Sequence, residues 1–451
     1  MSVKSSLATI VGKSSYWFLH TFLKGGSSLP GKLAVKIDPS VLRELGKNYD
    51  VILVTGTNGK TLTTSLIVKI MRQTGADVIT NSTGSNMVQG ITTAFLAHKA
   101  KRHSNRKIAI LEVDEANVGP ICKYITPKAF VLTNIFRDQM DRYGEIYVTY
   151  EKILAGIKLA PSATLIMNGD APIFASKELP NPKIYYGFNN QSDNHDIVAA
   201  PNTDGVLCPR CNHILHYHFI VYSNLGDYFC PNCGFHRPDL NFAVTKLGEL
   251  TPTSSQFEID DYPFEIKIGG MYNIYNTLAA YAVGRFMHIG PKAISEACEY
   301  DEKVFGRQEV IKIGDKDITL ILVKNPVGLN QVLDMIQLDK NKFSLAFLLN
   351  AKYADGIDTS WIWDGNFEQL VTSGKVDHYL AGGERYKDAA FRLKIAGVAD
   401  KDLTVTEGLD NVIDEIKKLP NNHVYVLATY TAVLELRKLL AEKGYIKGGM
   451  N

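Results

Sequence analysis

Short apolar runs alternate with helix-length segments from Tyr49 onward. Four of these runs, at residues 51–56, 108–114, 129–135 and 163–170, are typical of strands buried on both faces. The segments between them are long enough to form crossover helices. This alternation predicts an α/β fold with a parallel, doubly wound sheet.

The pattern changes near residue 200. Residues 201–238 contain few long apolar runs and several Asn and Gly residues, which indicates an insertion. Strand-like segments follow at 242–248, 254–260 and 264–270, and a helical stretch at 273–287 closes the region. The sequence therefore predicts an inserted unit within one α/β domain.

A second α/β pattern begins after a turn-like segment that ends at Gly306. Its strand-like runs lie at 343–350, 376–383, 403–407 and 423–429. Near the start of the chain, Gly25 to Pro30 separate short predicted helices. We therefore expect a short N-terminal helical segment (1–48), a central domain (49–307) and a C-terminal α/β domain (308–451).

Composition and charge narrow the class of protein. Hydrophobic residues make up 45% and charged residues 21% of the 451 positions, an ordinary balance for a soluble globular chain. The formal net charge of +2 gives no whole-chain electrostatic case for nucleic-acid binding. No apolar run approaches the roughly 18 residues that span a bilayer, and no signal peptide is recognisable. We expect a cytoplasmic protein.

A glycine-rich loop follows the first apolar run and opens a predicted helix at 62–72. The loop reads Gly56-Thr57-Asn58-Gly59-Lys60-Thr61. Its glycines let backbone N–H groups turn toward phosphate oxygens at the helix N-terminus. Lys60 would neutralise the terminal phosphates and the Thr61 hydroxyl would bind Mg²⁺. The spacing is shorter than GxxxxGK[ST], but the flanking strand and helix favour a nucleotide site over a glycine-rich turn with a surface lysine.

An acidic segment ends another apolar run. Glu112 lies at the predicted carboxyl end of a parallel strand, where such sheets bind ligands, and it is predicted to hold Mg²⁺ beside the phosphates. Asp114 and Glu115 follow it. We interpret these two as acids at a helix N-terminus, where the helix dipole favours negative charge.

Four cysteines form two Cys-x-x-Cys pairs, Cys208/Cys211 and Cys230/Cys233. Their separation fits a four-cysteine zinc site, which would be closed and structural because it leaves no open ligand position. Free thiols or a redox pair are the alternatives, and no thioredoxin-like context supports them. The remaining candidates, three histidines expected at the surface and two cysteines expected in the core, are His213, His216, His218, Cys122 and Cys298.

Together these motifs resemble the Mur ligases, which are ATP-dependent amide-forming enzymes of cell-wall synthesis. The matching segments, in the family's order, are TGTNGKT (55–61), LEVDE (111–115), TNIFRDQMDRYG (133–144), NGDAP (168–172) and YNIYNTLAA (272–280). The resemblance implies that Asn273 and Asn276 lie near the adenine and that Arg307 contacts ATP from the linker. The chain departs from the family at Gln139, where a histidine is associated with a second Mg²⁺, and at Lys324, where an HNP motif begins.

The short N-terminal segment and the four-cysteine insertion narrow the resemblance to the synthetase subunits of lipid II isoglutaminyl synthases. KNPVGLNQ (324–331) and DGIDTSWIWD (355–364) are similar to the C-terminal domain of that group. This implies ATP-dependent amidation of the α-carboxylate of D-Glu in the lipid II stem peptide, through an acyl phosphate that ammonia attacks. A GatD-like glutaminase subunit would supply the ammonia, and Asp355 would complete its catalytic triad in trans. The alternative is a turn aspartate in Asp355-Gly356.

Two other functions remain open. A ligase that adds an amino acid to a carboxylate, as folylpolyglutamate and cyanophycin enzymes do, would share the phosphate loop and leave the cysteine insertion unexplained. An inactive nucleotide-binding scaffold is supported only by Gln139, and the presence of Lys60, Thr61 and Glu112 opposes it.

The basic N-terminal segment also has two interpretations. Its aromatic and apolar residues and the lysines beside them are Tyr16, Trp17, Phe18, Phe22, Leu23, Lys13 and Lys24. They fit a peripheral contact with an anionic membrane surface, where lipid II resides. A helix that packs over the third domain explains them equally well.

Overall fold

Three sheets organise the chain in the computed structural model. The model describes residues 2–22, 28–81, 85–100, 104, 106–138, 146–189, 196–200, 203–299 and 308–446. A nine-stranded sheet and a six-stranded sheet form two α/β layers, and a three-stranded sheet belongs to the insertion. The predicted α/β class is confirmed.

The nine-stranded sheet is mainly parallel. Its strands, in chain order, are β1 (Asp50–Thr55), β2 (Asp77–Thr80), β3 (Lys107–Glu112), β4 (Ala129–Leu132), β5 (Thr164–Asn168), β6 (Lys183–Phe188), β10 (Phe242–Leu250), β11 (Ser255–Ile259) and β12 (Tyr262–Ile266). The three-stranded sheet of the insertion consists of β7 (Ile197–Val198), β8 (His216–Tyr222) and β9 (Leu225–Phe229). The order in the nine-stranded sheet is β12-β11-β10-β6-β5-β4-β1-β3-β2. Every pair from β10 to β2 is parallel, whereas β11 and β12 extend the sheet as antiparallel strands. The carboxyl ends of β1, β3 and β4 therefore meet at one edge, where this class of sheet binds ligands.

The helices up to residue 298 are α1 (Val3–Phe22), α2 (Leu29–Ile37), α3 (Val41–Gly46), α4 (Lys60–Gln73), α5 (Val88–Ala97), α6 (Val118–Cys122), α7 (Ile146–Ile157), α8 (Met271–Phe286) and α9 (Pro291–Cys298). Helix α4 packs against β1, β2 and β3, and α8 packs against α4 and β6.

The 20-residue α1 is longer than the short helix predicted. It packs against α2, α3 and α5, so its interpretation as a cover for the third domain is wrong. Among the helices that the structure describes, none is both long and apolar enough to span a membrane.

The six-stranded sheet forms the second α/β layer. Its strands are β13 (Glu309–Ile313), β14 (Lys316–Leu322), β15 (Phe343–Leu348), β16 (Val376–Gly382), β17 (Leu403–Val405) and β18 (His423–Ala428). Its helices are α10 (Pro326–Ile336), α11 (Phe367–Thr372), α12 (Tyr386–Ile395), α13 (Val412–Lys418) and α14 (Tyr430–Glu442). The order is β13-β14-β18-β15-β16-β17, with only the β13–β14 pair antiparallel. The four strands predicted from apolar runs are confirmed, whereas the β13–β14 hairpin was not predicted.

A buried cation holds residues 362–368 in the C-terminal layer. Arg392, on α12, is only 2% exposed. Its guanidinium donates to the backbone oxygens of Ile362 at 3.1 Å and Gly365 at 2.6 Å, and it pairs in a bidentate manner with Glu368, at 2.7 Å for each bond. The segment around Trp363 is thus fixed by a residue about 30 positions further along the chain.

Replacing Arg392 with methionine is expected to lower the free energy of unfolding by about 3 kcal/mol, because two buried carbonyl oxygens lose a charged donor. Denaturant unfolding followed by circular dichroism measures this change. Glu368→Gln is the matched control. The Glu368 side chain is 55% exposed, so its loss should cost less than about 1 kcal/mol. Equal losses in both variants would show that the ion pair, and not the carbonyl contacts, carries the stability.

Candidate functional site

The glycine-rich loop joins β1 to α4 and needs glycine at two positions. Gly56 has a φ of 131° and Gly59 a φ of 86°, values that side chains disfavour. A Cβ on Gly56 would lie 2.3 Å from Thr133 Oγ1, and one on Gly59 would lie 2.0 Å from Asn276 Oδ1. The loop therefore adopts this form only because both residues lack a side chain.

The segment after β4 fixes the loop by hydrogen bonds. The Thr57 N–H donates to the Asn134 backbone oxygen at 2.9 Å, and the Asn58 N–H donates to Asn134 Oδ1 at 2.8 Å. The Asn58 oxygen accepts from Thr133 Oγ1 at 2.9 Å and from Asn134 Nδ2 at 3.1 Å. The sequence showed Thr133 and Asn134 only as part of a motif. In the structure they position the loop.

Lys60 begins α4 and points into a buried carboxylate pair. Its Nζ donates to the Gly56 oxygen at 2.5 Å and to Glu115 Oε1 at 3.0 Å. Burial by itself would lower the pKa of Lys60, but the carboxylates of Glu115 and Glu112 hold that pKa above its usual value. Lys60 is therefore a cation at neutral pH. The interpretation of Glu115 as only a helix N-terminal acid was incomplete, whereas Asp114 does cap the short 115–117 helix by accepting from the Ala116 N–H.

A cleft of about 270 Å³ lies above the loop, between the two α/β layers. The central layer contributes Thr57, Gly59, Lys60, Thr61, Asn86, Glu112, Asp114, Glu115, Phe136, Asp138 and Thr149, and the C-terminal layer contributes Leu322, Lys324, Ala354 and Tyr430. Lys324 Nζ donates to Asp138 Oδ2 at 2.5 Å across the cleft. The Asn58 and Asn325 side chains also bond to each other, at 3.0 and 3.3 Å. The C-terminal layer is thus docked on the loop itself.

The predicted magnesium ligands share this cleft. Glu112 is 6% exposed. Among the residues that the structure describes, its carboxylate has a 3.5 Å contact from Asn86 Nδ2 and an electrostatic interaction with Lys60, but no direct ion pair. A buried carboxylate with so few hydrogen-bond partners suits a divalent metal, which prefers oxygen ligands. Thr61 and Glu112 also line a second cavity of about 580 Å³ along α4. The two cavities therefore meet at these two residues.

Helix α8 supports the loop from below. Asn276 Oδ1 accepts from Thr63 Oγ1 at 3.3 Å, and Asn276 Nδ2 donates to Asn273 Oδ1 at 3.2 Å. Asn273 Nδ2 in turn donates to the Gly269 oxygen at 2.6 Å. Both asparagines are buried, so the structure gives them a positioning role, and their contact with adenine stays a prediction. Arg307 and Gln139 lie outside the described residues.

The four cysteines converge in the insertion. Their sulfur atoms all lie within 4.8 Å of one another and belong to Cys208, Cys211, Cys230 and Cys233. The Cys208–Cys233 and Cys211–Cys230 Sγ distances are 3.6 and 3.5 Å. Tetrahedral ligands about 2.3 Å from zinc would be separated by about 3.8 Å, so the group is nearly preformed for that ion. None of the three nearby histidines belongs to this group in the described chain.

Both cysteine pairs form the same tight turn. The Asn212 N–H donates to the Cys208 oxygen at 2.9 Å, and the Gly234 N–H donates to the Cys230 oxygen at 3.1 Å. Asn212 and Gly234 both have positive φ, 60° and 71°. A hydrogen bond from Asn232 helps to lower the pKa of the Cys211 thiol to about 6, which favours the thiolate that binds a metal.

A buried ion pair ties this unit to the central layer. Arg237 Nη1 donates to Asp170 Oδ1 at 2.9 Å and to the Phe188 oxygen at 2.7 Å. Asp170 also accepts from the Tyr275 hydroxyl at 2.6 Å. Burial raises the pKa of Asp170, and Arg237 opposes that shift. The sequence contained the NGDAP motif but gave no signal that its aspartate holds the insertion. The other two cysteines, Cys122 and Cys298, are buried in the core as predicted.

Asp355 follows β15 and is engaged within its own chain. Its Oδ1 accepts from the Thr431 N–H at 2.7 Å, and its Oδ2 accepts from Thr431 Oγ1 at 2.5 Å and from the Lys352 N–H at 3.1 Å. The residue is 4% exposed, but its neighbours Tyr353 and Ile357 are 75% and 66% exposed. The carboxylate thus lies just below an accessible surface and caps the start of α14. Its role in a triad stays a prediction.

Two family models match the chain. The Mur ligase middle domain matches residues 54–225, and the MurT ligase C-terminal domain matches residues 322–433. The first match contains the glycine-rich loop, Glu112 and the first cysteine pair, and the second contains Asp355.

Two solved structures share the fold. A pseudomurein peptide ligase type C from Methanothermus fervidus has a TM-score of 0.66 at 21% identity, covering 89% of this chain and 80% of its own. A MurF ligase from Thermotoga maritima in complex with ADP has a TM-score of 0.60 at 15% identity, covering 91% and 85%. At these identities, the comparison shows that the fold is that of the Mur ligases.

Relatives of known name match over most or all of the chain. The Streptococcus pneumoniae (strain ATCC BAA-255 / R6) protein named lipid II isoglutaminyl synthase (glutamine-hydrolyzing) subunit MurT is 48% identical over 451 residues, 100% of both chains. The Staphylococcus aureus (strain N315) protein of the same name is 34% identical over 377 residues, 83% of this chain and 84% of its own. The chain therefore belongs to the MurT family of Mur ligases.

Proposed function

We propose that this chain amidates the α-carboxylate of D-Glu in the lipid II stem peptide, using ATP and ammonia. The observation that carries this proposal is the 48% identity, over the full length of both chains, with a relative whose name states this synthase. The cleft that contains Lys60, Thr61 and Glu112 supports it, because phosphoryl transfer requires a cation and metal ligands in one place.

The reaction would proceed in two steps, phosphorylation of the carboxylate and attack by ammonia. A carboxylate oxygen of D-Glu attacks the γ-phosphorus of ATP, and ADP leaves, which gives an acyl phosphate. Ammonia then attacks the acyl carbon, loses a proton and expels phosphate, which gives the amide. Lys60 would neutralise charge on the transferring phosphoryl group. Thr61 and Glu112 would hold Mg²⁺, which supplies further positive charge at the phosphates when bound.

The four-cysteine cluster would bind one structural Zn²⁺. All four ligand positions are cysteines, so no position is open for a substrate or a water molecule. The ion would therefore stabilise the insertion and take no part in the chemistry.

Mass spectrometry of lipid II incubated with the protein, ATP, Mg²⁺ and ammonium tests the reaction. Replacement of a hydroxyl by an amine on D-Glu is the expected product. A mass increase equal to an added amino acid would instead support a conventional ligase, the second candidate. ATP hydrolysis without any change in lipid II would contradict the proposed substrate, and the absence of ATP turnover would indicate a scaffold.

A glutaminase subunit of the GatD type would supply the ammonia. The names of the relatives describe a subunit of a glutamine-hydrolyzing synthase, which implies a partner chain. The exposed Tyr353 and Ile357 beside Asp355 offer that partner an accessible surface. We therefore keep Asp355 as the carboxylate that orients the imidazole of the partner's triad.

Asp355→Asn is expected to lower glutamine-driven amidation at least about 100-fold, because an amide orients an imidazole in the wrong tautomer. Amidation driven by free ammonium should be unchanged. Product formation with each nitrogen source gives the measurement, after equal melting temperatures have been verified.

Thr431→Val is the matched control for Asp355, because it removes a hydroxyl that donates to Asp355 and leaves the carboxylate in place. It should retain both activities. A parallel fall of both activities in Asp355→Asn would mean that the residue serves folding or the synthetase site, and the triad role would then be abandoned.

Lipid II is anchored in a membrane, so the proposed reaction would take place at the inner face of the membrane, on its cytoplasmic side. The protein would then reach its substrate as a peripheral protein.

A further inference from the structure

One face of α1 is apolar and exposed to solvent. Its large side chains, with exposed fractions of 89, 52, 63, 63, 52 and 62%, are Val3, Leu7, Ile10, Trp17, Phe18 and Phe22. At 3.6 residues per turn they fall within an arc of about 140° around the helix. The opposite face carries the small residues Ser5, Ala8 and Gly12, which are buried. The helix thus presents its small residues to the protein and its large apolar residues to the outside.

Contacts on the small-residue face fix this orientation. The Ser5 hydroxyl donates to Asp38 Oδ2 at 2.5 Å. A Cβ on Gly12 would lie 2.6 Å from Leu96 Cδ1 and 3.3 Å from Ala34 Cβ, so α1 approaches α2 and α5 closely at this glycine. Rotation of the large side chains toward the protein would break both contacts. The apolar face is therefore held outward by the fold.

The charged residues of α1 and α2 all have one sign, and Asp38, the acidic residue that follows them, is buried at 5% exposure against the opposite face of α1. Residues 1–37 contain no acidic residue, and their lysines are Lys4, Lys13, Lys24, Lys32 and Lys36. Lys24 lies outside the described residues. The helical repeat places Lys4 and Lys13 on the two sides of the apolar arc. An apolar strip between two basic edges matches the boundary between acyl chains and anionic headgroups.

We infer that α1 is an interfacial anchor that lies in the plane of an anionic membrane. Its apolar side chains would enter the acyl region while Lys4 and Lys13 contact the lipid phosphates. A protein interface suits this face less well, because lysine is depleted at such interfaces. The inference rests on the proposed function in one respect: a lipid-linked substrate brings the protein to a membrane.

Co-sedimentation of the full chain with vesicles tests the anchor without ATP or lipid II. Binding to phosphatidylcholine vesicles that contain phosphatidylglycerol is expected to exceed binding to phosphatidylcholine alone and to weaken with salt. The triple variant Trp17→Ser/Phe18→Ser/Phe22→Ser should bind at least about tenfold more weakly. Lys4→Gln/Lys13→Gln should bind roughly 30-fold more weakly, at about fivefold per lysine.

Phe391→Ser/Ile395→Ser is the matched control, because these apolar residues on α12 are each 56% exposed and lie far along the chain from α1. It should bind vesicles as the unmodified chain does. Equal binding by the triple variant, or no binding by the unmodified chain, would overturn the inference. Self-association or glutaminase binding lost in the triple variant, with vesicle binding unchanged, would assign the face to a protein partner instead.

The anchor and the proposed reaction can fail separately. Ammonium-driven amidation of a short-chain, water-soluble lipid II analogue should be unchanged in the triple variant, because α1 lies outside the cleft. Vesicle binding without any amidation would sustain the anchor and remove the proposed function. If the triple variant does not fold, vesicle binding by Lys4→Gln/Lys13→Gln still tests the anchor.

Discussion

Replacing Lys60 with alanine is expected to lower ATP turnover by about 10²- to 10³-fold, the usual effect of removing one preorganised charge from a transition state. Lys60 is the cation of the phosphate loop, and its Nζ lies 3.0 Å from Glu115 Oε1. Two neighbouring carboxylates hold its pKa above the usual value, so it stays charged over the working pH range. Steady-state ATP hydrolysis in the presence of lipid II and ammonium measures the effect.

The same substitution leaves Glu115 buried without its partner. The Glu115 side chain is 7% exposed, so the loss of Lys60 should also destabilise the fold, by about 3 kcal/mol. The double variant Lys60→Ala/Glu115→Gln separates the two effects. It should regain most of the stability, measured by denaturant unfolding, and none of the turnover. Turnover that survives unchanged in Lys60→Ala would mean that Lys60 is not part of the site that hydrolyses ATP.

Removing the proposed zinc ion is expected to unfold the insertion while the two large sheets persist. Among the described residues, the insertion's own hydrophobic cluster has only six buried members, and two of them are cysteines of the four-cysteine group. A core of this size does not fold without a metal or a disulfide, and a structural zinc contributes about 10–16 kcal/mol to folding. Chelation, or Cys208→Ser with Cys230→Ser, should therefore abolish zinc binding and raise hydrogen exchange across residues 203–236.

Elemental analysis and hydrogen exchange measured by mass spectrometry check this expectation. Cys122→Ser is the matched control, since Cys122 is a buried cysteine on α6 outside the cluster. It should lower the stability of the whole domain and keep the zinc content unchanged. Zinc retained by the double serine variant would show that the four sulfurs are not the ligands.

Local sequence predicted the main elements and the two groups of candidate site residues. The apolar runs that became β1, β3, β4 and β5 are continuous, and only strands covered on both faces can bury such runs. The glycine-rich loop could be predicted from sequence because the strand, glycines, lysine and helix of such a loop are adjacent in the chain. The grouping of the cysteines could be predicted for the same reason, since the two cysteines of each pair are close in sequence and lie on one tight turn.

The weaker elements escaped prediction because their patterns are short or mixed. Strand β2 has only four residues, and β13 is a five-residue mixture of apolar and charged side chains. The length of α1 was also underestimated. Its four serines and Gly12 have low helix propensity, so the segment does not show the length of a single continuous helix.

Only the tertiary structure decided how the site is held together. Asn134 bonds to the loop from 76 positions away, and Asn276 lies under Gly59 from the far side of the insertion. Glu115 accepts a hydrogen bond from Lys60, 55 positions earlier in the chain, and Asp355 accepts one from Thr431, 76 positions later. A one-dimensional pattern reports which residues can fold locally into a strand, a turn or a loop. Which distant side chains then meet depends on how the sheets pack, because the order of the strands, and not the order of the residues, sets those distances.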